Sequence, residues 1–342
     1  MTGKINLSEM DKIKAAVIGL GRIASILEDD KLREKPCTHA GAIAADSECV
    51  LCAGSDTDEE RRKLFAGKWK VDVYEDPAEM LAVHKPLILS IATHPDSHHY
   101  YCKLAAEHRI PVIICEKPLA DNIRRARKIV KLTDGGNGPV IIVNHERRYS
   151  EDYIRAKEIL DSESLGKIKS VRAVLYAGKT RRITDMLWHD GTHLADAVMF
   201  LTGARLKHRK KYGEKLSSRG GTAWLEAVLI KSEKVKSVPV ILEAGAGRDY
   251  LAFEIEFSCE RGRLRIGNGI FEVYESAPSP YAENFRSLKN TGETFTGKTL
   301  YFSNMLRDAV NCVRDKQRVP RSSAADGLRV IGYLNAVSRW KR

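Results

Sequence analysis

Residues 14–24 read KAAVIGLGRIA, a short apolar run that ends in Gly19-Leu-Gly21-Arg-Ile-Ala24. A strand that gives way to GxGxxA at the start of a helix is the arrangement that holds a dinucleotide's pyrophosphate. Gly19 permits the tight turn, Gly21 lets backbone approach the phosphates, and Ala24 lets the helix pack close to the strand. Arg22 and Ile23 lie in the same loop and join these three as expected cofactor-binding residues. Amides at the helix start supply donors for phosphate oxygens.

Working outward, five more apolar runs follow: VLCAGSD (50–56), VDVYED (71–76), LILSIAT (87–93), VIICEKP (112–118) and VIIVNH (140–145). Amphipathic stretches such as SHHYYCKLAAEH (97–108) and NIRRARKIVKL (122–132) separate them. Near-continuous apolar strands alternating with helices predict a parallel sheet covered on both faces. Residues 1–143 are therefore expected to form a doubly wound Rossmann domain. An acid for the adenosine ribose is expected about 20 residues past the glycines, yet Asp56 lies well beyond that distance. The polar stretch LEDDKLREKP (27–36) accounts for the excess by interrupting the first helix before THAGAIAA (38–45) resumes it. A carboxylate at the tip of the second strand accepts from ribose hydroxyls and repels a 2′-phosphate, which favours NAD over NADP. Arg61 and Arg62 leave NADP open, although both read more simply as a solvated helix face.

Past residue 143 the pattern changes. Two helical stretches precede strand after strand, in AWLEAVLIKS (223–232), VPVILEAGAG (238–247), LAFEIEFSCE (251–260) and GRLRIGNGIFEVYES (262–276), and two more helices close the chain. Alternation in these strands predicts an α+β domain over 144–342 with a large, mainly antiparallel open sheet. An apolar face on LAFEIEFSCE and GIFEVYES would need covering, which predicts a homodimer or homotetramer.

The formal net charge of +12 is confined to the second half, because residues 1–143 carry 21 basic and 21 acidic side chains. A basic half suits an acidic substrate or plain solubility; without a helix-turn-helix, zinc-finger or RNP signature, nucleic acid is not the expected partner. No apolar stretch approaches the roughly 18 residues of a membrane span. The N-terminal run has no apolar signal core, so a cytoplasmic protein without membrane association is expected. Seven cysteines, an odd number, argue against a disulfide framework. Cys49 and Cys52 fall on a strand, where residues three apart face opposite sides, and read as core thiols.

Met186–Asp196, MLWHDGTHLAD, carries His189, Asp190, His193 and Asp196. At helical spacing such residues can share a face. Zinc chemistry of the HExxH type would need a third ligand and a glutamate base, and no metal site is expected. Gly191 lowers helix propensity, so a helix is predicted to start there rather than run through. Acid/base work at a helix start facing a cleft, or a purely structural cluster, remain the alternatives. Upstream, KTRRITD (179–185) brings Arg181 and Arg182, which could recognise a carboxylate or phosphate on the substrate or simply be solvated.

Glu116-Lys117-Pro118 ends the fifth strand at the carboxyl edge, where open α/β sheets bind ligands. A lysine there can donate to a reacting oxygen. In the order GLGRIA, GSD, THPDSHHYYCKLAAEHRIPVIICEKPLA, NHERRYSEDYIRAKEILDSESLGKIKSVRAVLYAG, HDGTHLAD and SAADGLRVIGYLNAV, the chain closely resembles the Gfo/Idh/MocA oxidoreductases over nearly its whole length. The resemblance implies NAD(P)-dependent hydride transfer at a CH–OH or carbonyl carbon of a sugar, sugar derivative or cyclitol. It also implies an open sheet that mediates oligomers.

Residue by residue, Lys117 matches the family's EKP lysine, with Glu116 beside it, and His193 matches its second-domain histidine. Thr93, His94 and His98 match the turn that flanks the cofactor, and Arg148, with Arg181 and Arg182, is expected near the substrate. The family's D-x-G-x-H would put aspartate at 189, where this chain has His189 and then Asp190, so either could take the polar role. A non-catalytic sensor of NAD(P) and a sugar on the same scaffold is the other reading that such a sequence admits.

Overall fold

A computed structural model describes residues 12–134, 138–177, 181–230 and 237–339. Lys179 of the KTRRITD stretch and residues 1–11 of the N-terminal run lie outside the described residues. Two compact units emerge, one from the chain up to Tyr149 plus Thr299–Leu328, the other from Ser150–Lys298 and Arg329 onward. The sequence places a single boundary at 143–144; the structure instead returns a late segment to the first unit. Tyr149, 1% exposed, donates its hydroxyl to Asp308 at 3.0 Å and accepts from the Ser322 amide at 3.2 Å. Contacts between residues so distant in sequence leave no local pattern to read.

In the first unit, strands β1 (Ile13–Ile18), β2 (Cys49–Ser55), β3 (Asp72–Tyr74), β4 (Ile88–Ile91), β5 (Val112–Cys115) and β6 (Val140–Val143) form a parallel sheet ordered β3-β2-β1-β4-β5-β6. That is the order of a doubly wound dinucleotide fold. β4 and β5 are buried at every residue, as expected of strands covered on both faces. Cys49 and Cys52 lie on β2, and burial pushes their thiols up to about 12 and about 11.

The first helix is split, as the sequence predicts. After the glycine loop the chain makes a turn and a short 3-10 segment at Ile26–Asp29, and α1 (His39–Ala45) begins only later. The amides of His39 and Ala40 donate to the carbonyls of Ile23 and Ala24 at 3.2 and 2.9 Å, so α1 stacks on the loop's own turn as its continuation. Thr38 caps α1 by accepting from the Gly41 amide. Acidic side chains fasten the inserted segment, Asp29 among them, 2.7 Å from Lys68. Glu28 accepts from the Thr38 hydroxyl at 2.6 Å and from the Cys37 amide at 3.1 Å. Glu34 accepts from the Thr299 amide and hydroxyl and from the Leu300 amide at 2.9–3.0 Å, capping helix α9 (Tyr301–Arg314) from far away in sequence.

Among its described residues the second unit is built on eight strands: β7 (Ile168–Tyr176), β8 (Arg205–Gly213), β9 (Gly221–Ile230), β10 (Val238–Ala246), β11 (Ala252–Cys259), β12 (Gly262–Gly267), β13 (Ile270–Pro278) and β14 (Arg286–Asn290). Their order is β14-β13-β12-β11-β7-β10-β9-β8. Every neighbouring pair is antiparallel except β7 with β10. One face is apolar, and the core there also takes in side chains of α6 (Glu151–Asp161), α7 (Ile183–His189) and α8 (Gly191–Thr202). Phe253, Ile255 and Phe257 of β11 and Phe271 and Val273 of β13 are buried on that side, each worth about 1.5–3 kcal/mol. The apolar alternation thus finds its cover within the unit. The opposite face carries a charge ladder instead: Arg265 meets Glu254 and Glu272 at 3.2 and 2.9 Å, and Arg172 meets Glu243 at 2.8 Å.

Candidate functional site

The glycine loop shows a cradle that side chains would fill. Gly19 has φ +84°, and a Cβ there would lie 2.8 Å from Thr93 Cγ2 and 2.9 Å from the Ala92 backbone, so only glycine fits. A Cβ at Gly21 would meet nothing nearer than Arg61 at 3.9 Å, which leaves the backbone open to a ligand. Ala24 is fully buried, whereas Arg22 is exposed and Ile23 half-buried. These residues fit a dinucleotide's pyrophosphate. At the tip of β2, Asp56 is 8% exposed. One oxygen accepts from the Leu20 amide at 2.7 Å and the other from the Asp58 amide at 2.9 Å. Asp56 therefore pins the glycine loop as well as presenting a carboxylate.

The two nearby arginines are both occupied by acids. Arg61 lies 3.7 Å from Asp56 and from Asp58, and Arg62 donates to the Asp56 carbonyl and lies 3.6 Å from Glu75. A cleft of about 560 Å³ beyond β2 is lined by Glu75, Asp76, Glu79 and Tyr101 among others.

After β4, Thr93 bonds Ser97 at 2.7 Å, and His94 is exposed. His98 is fully buried in α4 (His98–Glu107). Its Nε2 lies 3.1 Å from the Thr93 carbonyl and its Nδ1 3.1 Å from that of Pro118. Burial lowers its pKa, against the pull of those carbonyls and of Glu116. His98, expected among the cofactor contacts, ties the turn after β4 to the turn after β5.

Lys117 follows β5, half-buried, with a cis bond to Pro118. Glu116 beside it is 6% exposed. Its Oε1 accepts from Asn144 Nδ2 at 2.5 Å and lies 2.9 Å from His39 Nε2, while Oε2 accepts from the Lys117 amide at 3.2 Å. Burial pushes this carboxyl up, but the bonds from His39 and Asn144, with the Lys117 charge, outweigh it and hold the pKa below the usual value. Glu116 is thus an internal anchor. Neither His39 nor Asn144 stands out in the sequence; the available signal was a histidine set among the small residues of THAGAIAA, which must find a polar partner once buried.

Arg148, expected near the substrate, is 7% exposed. Its guanidinium lies 3.2 Å from Asp326 and donates to the Arg321 carbonyl at 2.9 Å, binding the late segment to the first unit.

In the second unit, α7 ends at His189 and α8 starts at Gly191, the break predicted from that glycine. His193 on α8 is 8% exposed and Asp196 1%. His189, with 60% of its side chain exposed, bonds Asp190 through Nδ1 at 2.7 Å, and Arg181 approaches the other oxygen of Asp190 at 3.4 Å. His189 and Asp190 are thus joined in one polar unit. Arg182 is held by Asp185 in a two-point pair at 2.7 and 2.8 Å. Among the described residues no group of His, Cys, Asp and Glu is arranged to hold a metal ion, and no helix is long and apolar enough to cross a membrane.

Residues 13–145 match the sequence model of the GFO_IDH_MocA oxidoreductase family, described as an NAD-binding Rossmann fold. An inositol 2-dehydrogenase of Salmonella paratyphi B is 23% identical over 243 residues, covering 70% of this chain and 68% of that one. A D-glucoside 3-dehydrogenase of Escherichia coli is 26% identical, covering 56% and 54%. In fold, a UDP-N-acetylglucosamine 3-dehydrogenase of Acidithiobacillus ferrooxidans superposes with a TM-score of 0.75 at 17% identity over 96% of this chain and 97% of that one. With the parallel sheet, the glycine cradle and the EKP turn in place, residues 13–145 are similar to the NAD-binding Rossmann domain of the Gfo/Idh/MocA oxidoreductases.

Proposed function

We propose that the protein is an NAD-dependent dehydrogenase or reductase that acts on a CH–OH or carbonyl carbon of a sugar, sugar derivative or cyclitol. The observation that carries this reading is the placement of Lys117 at the same carboxyl edge of the parallel sheet as the Gly19–Gly21 cradle. The names of the inositol and glucoside dehydrogenases support the substrate class.

Bound NAD(H) supplies the hydride acceptor or donor. Gly19, Gly21 and Asp56 would hold it, with Thr93 and His94 flanking. The Lys117 ammonium donates to the substrate oxygen and stabilises charge on it. His193 takes the hydroxyl proton in oxidation and returns it in reduction. The bonded pair His189 and Asp190 adds polar contacts to the substrate. Carboxylates around the β2 tip, each arginine there already facing an acid, favour NAD over NADP. With Arg182 held by Asp185 and Arg181 drawn to Asp190, support for an anionic sugar is weaker than the sequence suggests. A homodimer or homotetramer belongs to the same reading, and its support moves to the open outer face that bears Trp224 and Tyr176.

The test has two parts. NADH and NADPH are titrated by nicotinamide fluorescence, with NADH expected to bind about tenfold tighter or better. Equal or reversed affinity would remove the role given to Asp56. Turnover is then followed by nicotinamide absorbance across inositols, neutral glycosides and acidic sugars. Tight NADH binding without turnover of any of them would favour the sensor reading.

A further inference from the structure

The Glu116 anchor is built from three separate parts of the first unit. His39 comes from the resumed first helix, Asn144 from the end of β6, and the Lys117 amide from the turn itself. His39 and Asn144 are 2% and 3% exposed. Each spends one polar atom on Glu116, and the other, Nδ1 of His39 and Oδ1 of Asn144, is buried with no hydrogen-bond partner among the described residues. The amide of Asn144 can face a carboxylate only through its nitrogen, and a histidine against the same carboxylate carries its proton on Nε2. The Phe302 ring packs against the imidazole at 84°, with centroids 5.2 Å apart, and has no polar atom to offer it. A buried polar atom left unmatched is costly. Two residues that each leave one such atom unmatched while holding the same carboxylate mark a group whose placement matters.

We infer that His39 and Asn144 are positioning residues, which fix Glu116 and through it the backbone from which Lys117 projects. This rests on the proposed role of Lys117, which it deepens. One carboxylate oxygen takes both side-chain donors, leaving the other for the Lys117 amide. Loss of either donor frees the carboxylate to turn, and the lysine's origin moves with it. A displacement of about 1 Å at a reacting group can cost about 100-fold in rate.

The test compares His39→Ala, His39→Gln and Asn144→Ala in the full chain. A glutamine amide can donate where Nε2–H did; alanine cannot. His39→Ala is expected to lower kcat at least tenfold with little change in KM and a dissociation constant for NADH within twofold of wild type. His39→Gln should recover most of the loss. Independently of any substrate, hydrogen–deuterium exchange of the peptide containing the Lys117 amide should accelerate at least tenfold in His39→Ala and Asn144→Ala and stay near wild type in His39→Gln. Unchanged exchange in both alanine variants would overturn the inference, as would equal loss in His39→Ala and His39→Gln. Faster exchange in a protein that turns over no sugar would retain the anchor and discard the proposed reaction, so the two can fail separately.

Discussion

The polar groups around Lys117 and those around His189 are held in opposite ways. Glu116, under the lysine, is buried and receives three hydrogen bonds from three segments. His189 and Asp190 stand at a break between two helices, bonded to each other, with exposed Arg181 beside Asp190. A buried, fully used carboxylate fixes geometry, because any rotation leaves a donor unmet. An exposed ion pair contributes at most about 1 kcal/mol and can rearrange at little cost. The first unit thus holds its polar groups in a preset arrangement, and the second holds its pair in an adaptable one.

That contrast is broken most directly by removing the preset group. Lys117→Ala should lower kcat by about 100-fold or more while NADH affinity, read by fluorescence titration, stays close to wild type. If kcat holds, the lysine is not the donor. His193→Ala should cost about 100-fold in kcat at neutral pH, within the range for a lost general base, and turnover close to wild type would leave the proton to another group.

Glu116→Gln sharpens the comparison through stability. The folded-state carboxyl titrates below its ordinary value, so its contribution is present above the unfolded pKa of about 4.3 and disappears as pH falls through the lower folded value. Thermal melts should show the variant about 2 kcal/mol less stable at pH 7. The gap should close in acid, as wild type takes up the same proton. A gap constant from pH 7 to pH 3 would mean that the charge of Glu116 is irrelevant. The smallest effect belongs to the adaptable side: Arg182→Ala, which removes an exposed pair with Asp185, should shift stability by less than about 1 kcal/mol. It should also leave the ratio of kcat/KM between an acidic sugar and its neutral counterpart unchanged. A changed ratio would restore that arginine to substrate recognition.

What could be read in the chain follows from how local each signal is. Gly19, Gly21 and Ala24 announce themselves because a tight turn and a close approach demand small residues in a fixed spacing. The break at Gly191 and the resumed helix at THAGAIAA are legible because helix propensity and capping act over a few residues. His39 and Asn144 were missed since their significance arises only when β5, β6 and α1 come together, a contact across 77 residues in one case and 28 in the other. The pairing of Arg148 with Asp326 is illegible for the same reason: the acid lies far down the sequence, and an arginine near a motif looks the same whether it faces a ligand or a buried acid. Alternation in β11 showed that one face is apolar but not which layer would cover it.

The split first helix has a consequence for how such a chain can be cut. Because His39 and Ala40 donate to Ile23 and Ala24, they occupy the places that the fourth residues onward would hold in an unbroken helix. Joining Ile26 directly to His39, with the 12 residues Leu27–Thr38 removed, keeps those same amides on those same carbonyls at ordinary helical spacing. The segment is therefore a detachable clasp, spliced between two turns without disturbing their phase. Its loss would be felt elsewhere, at the start of α9, which would be left without the Glu34 carboxylate that now closes it.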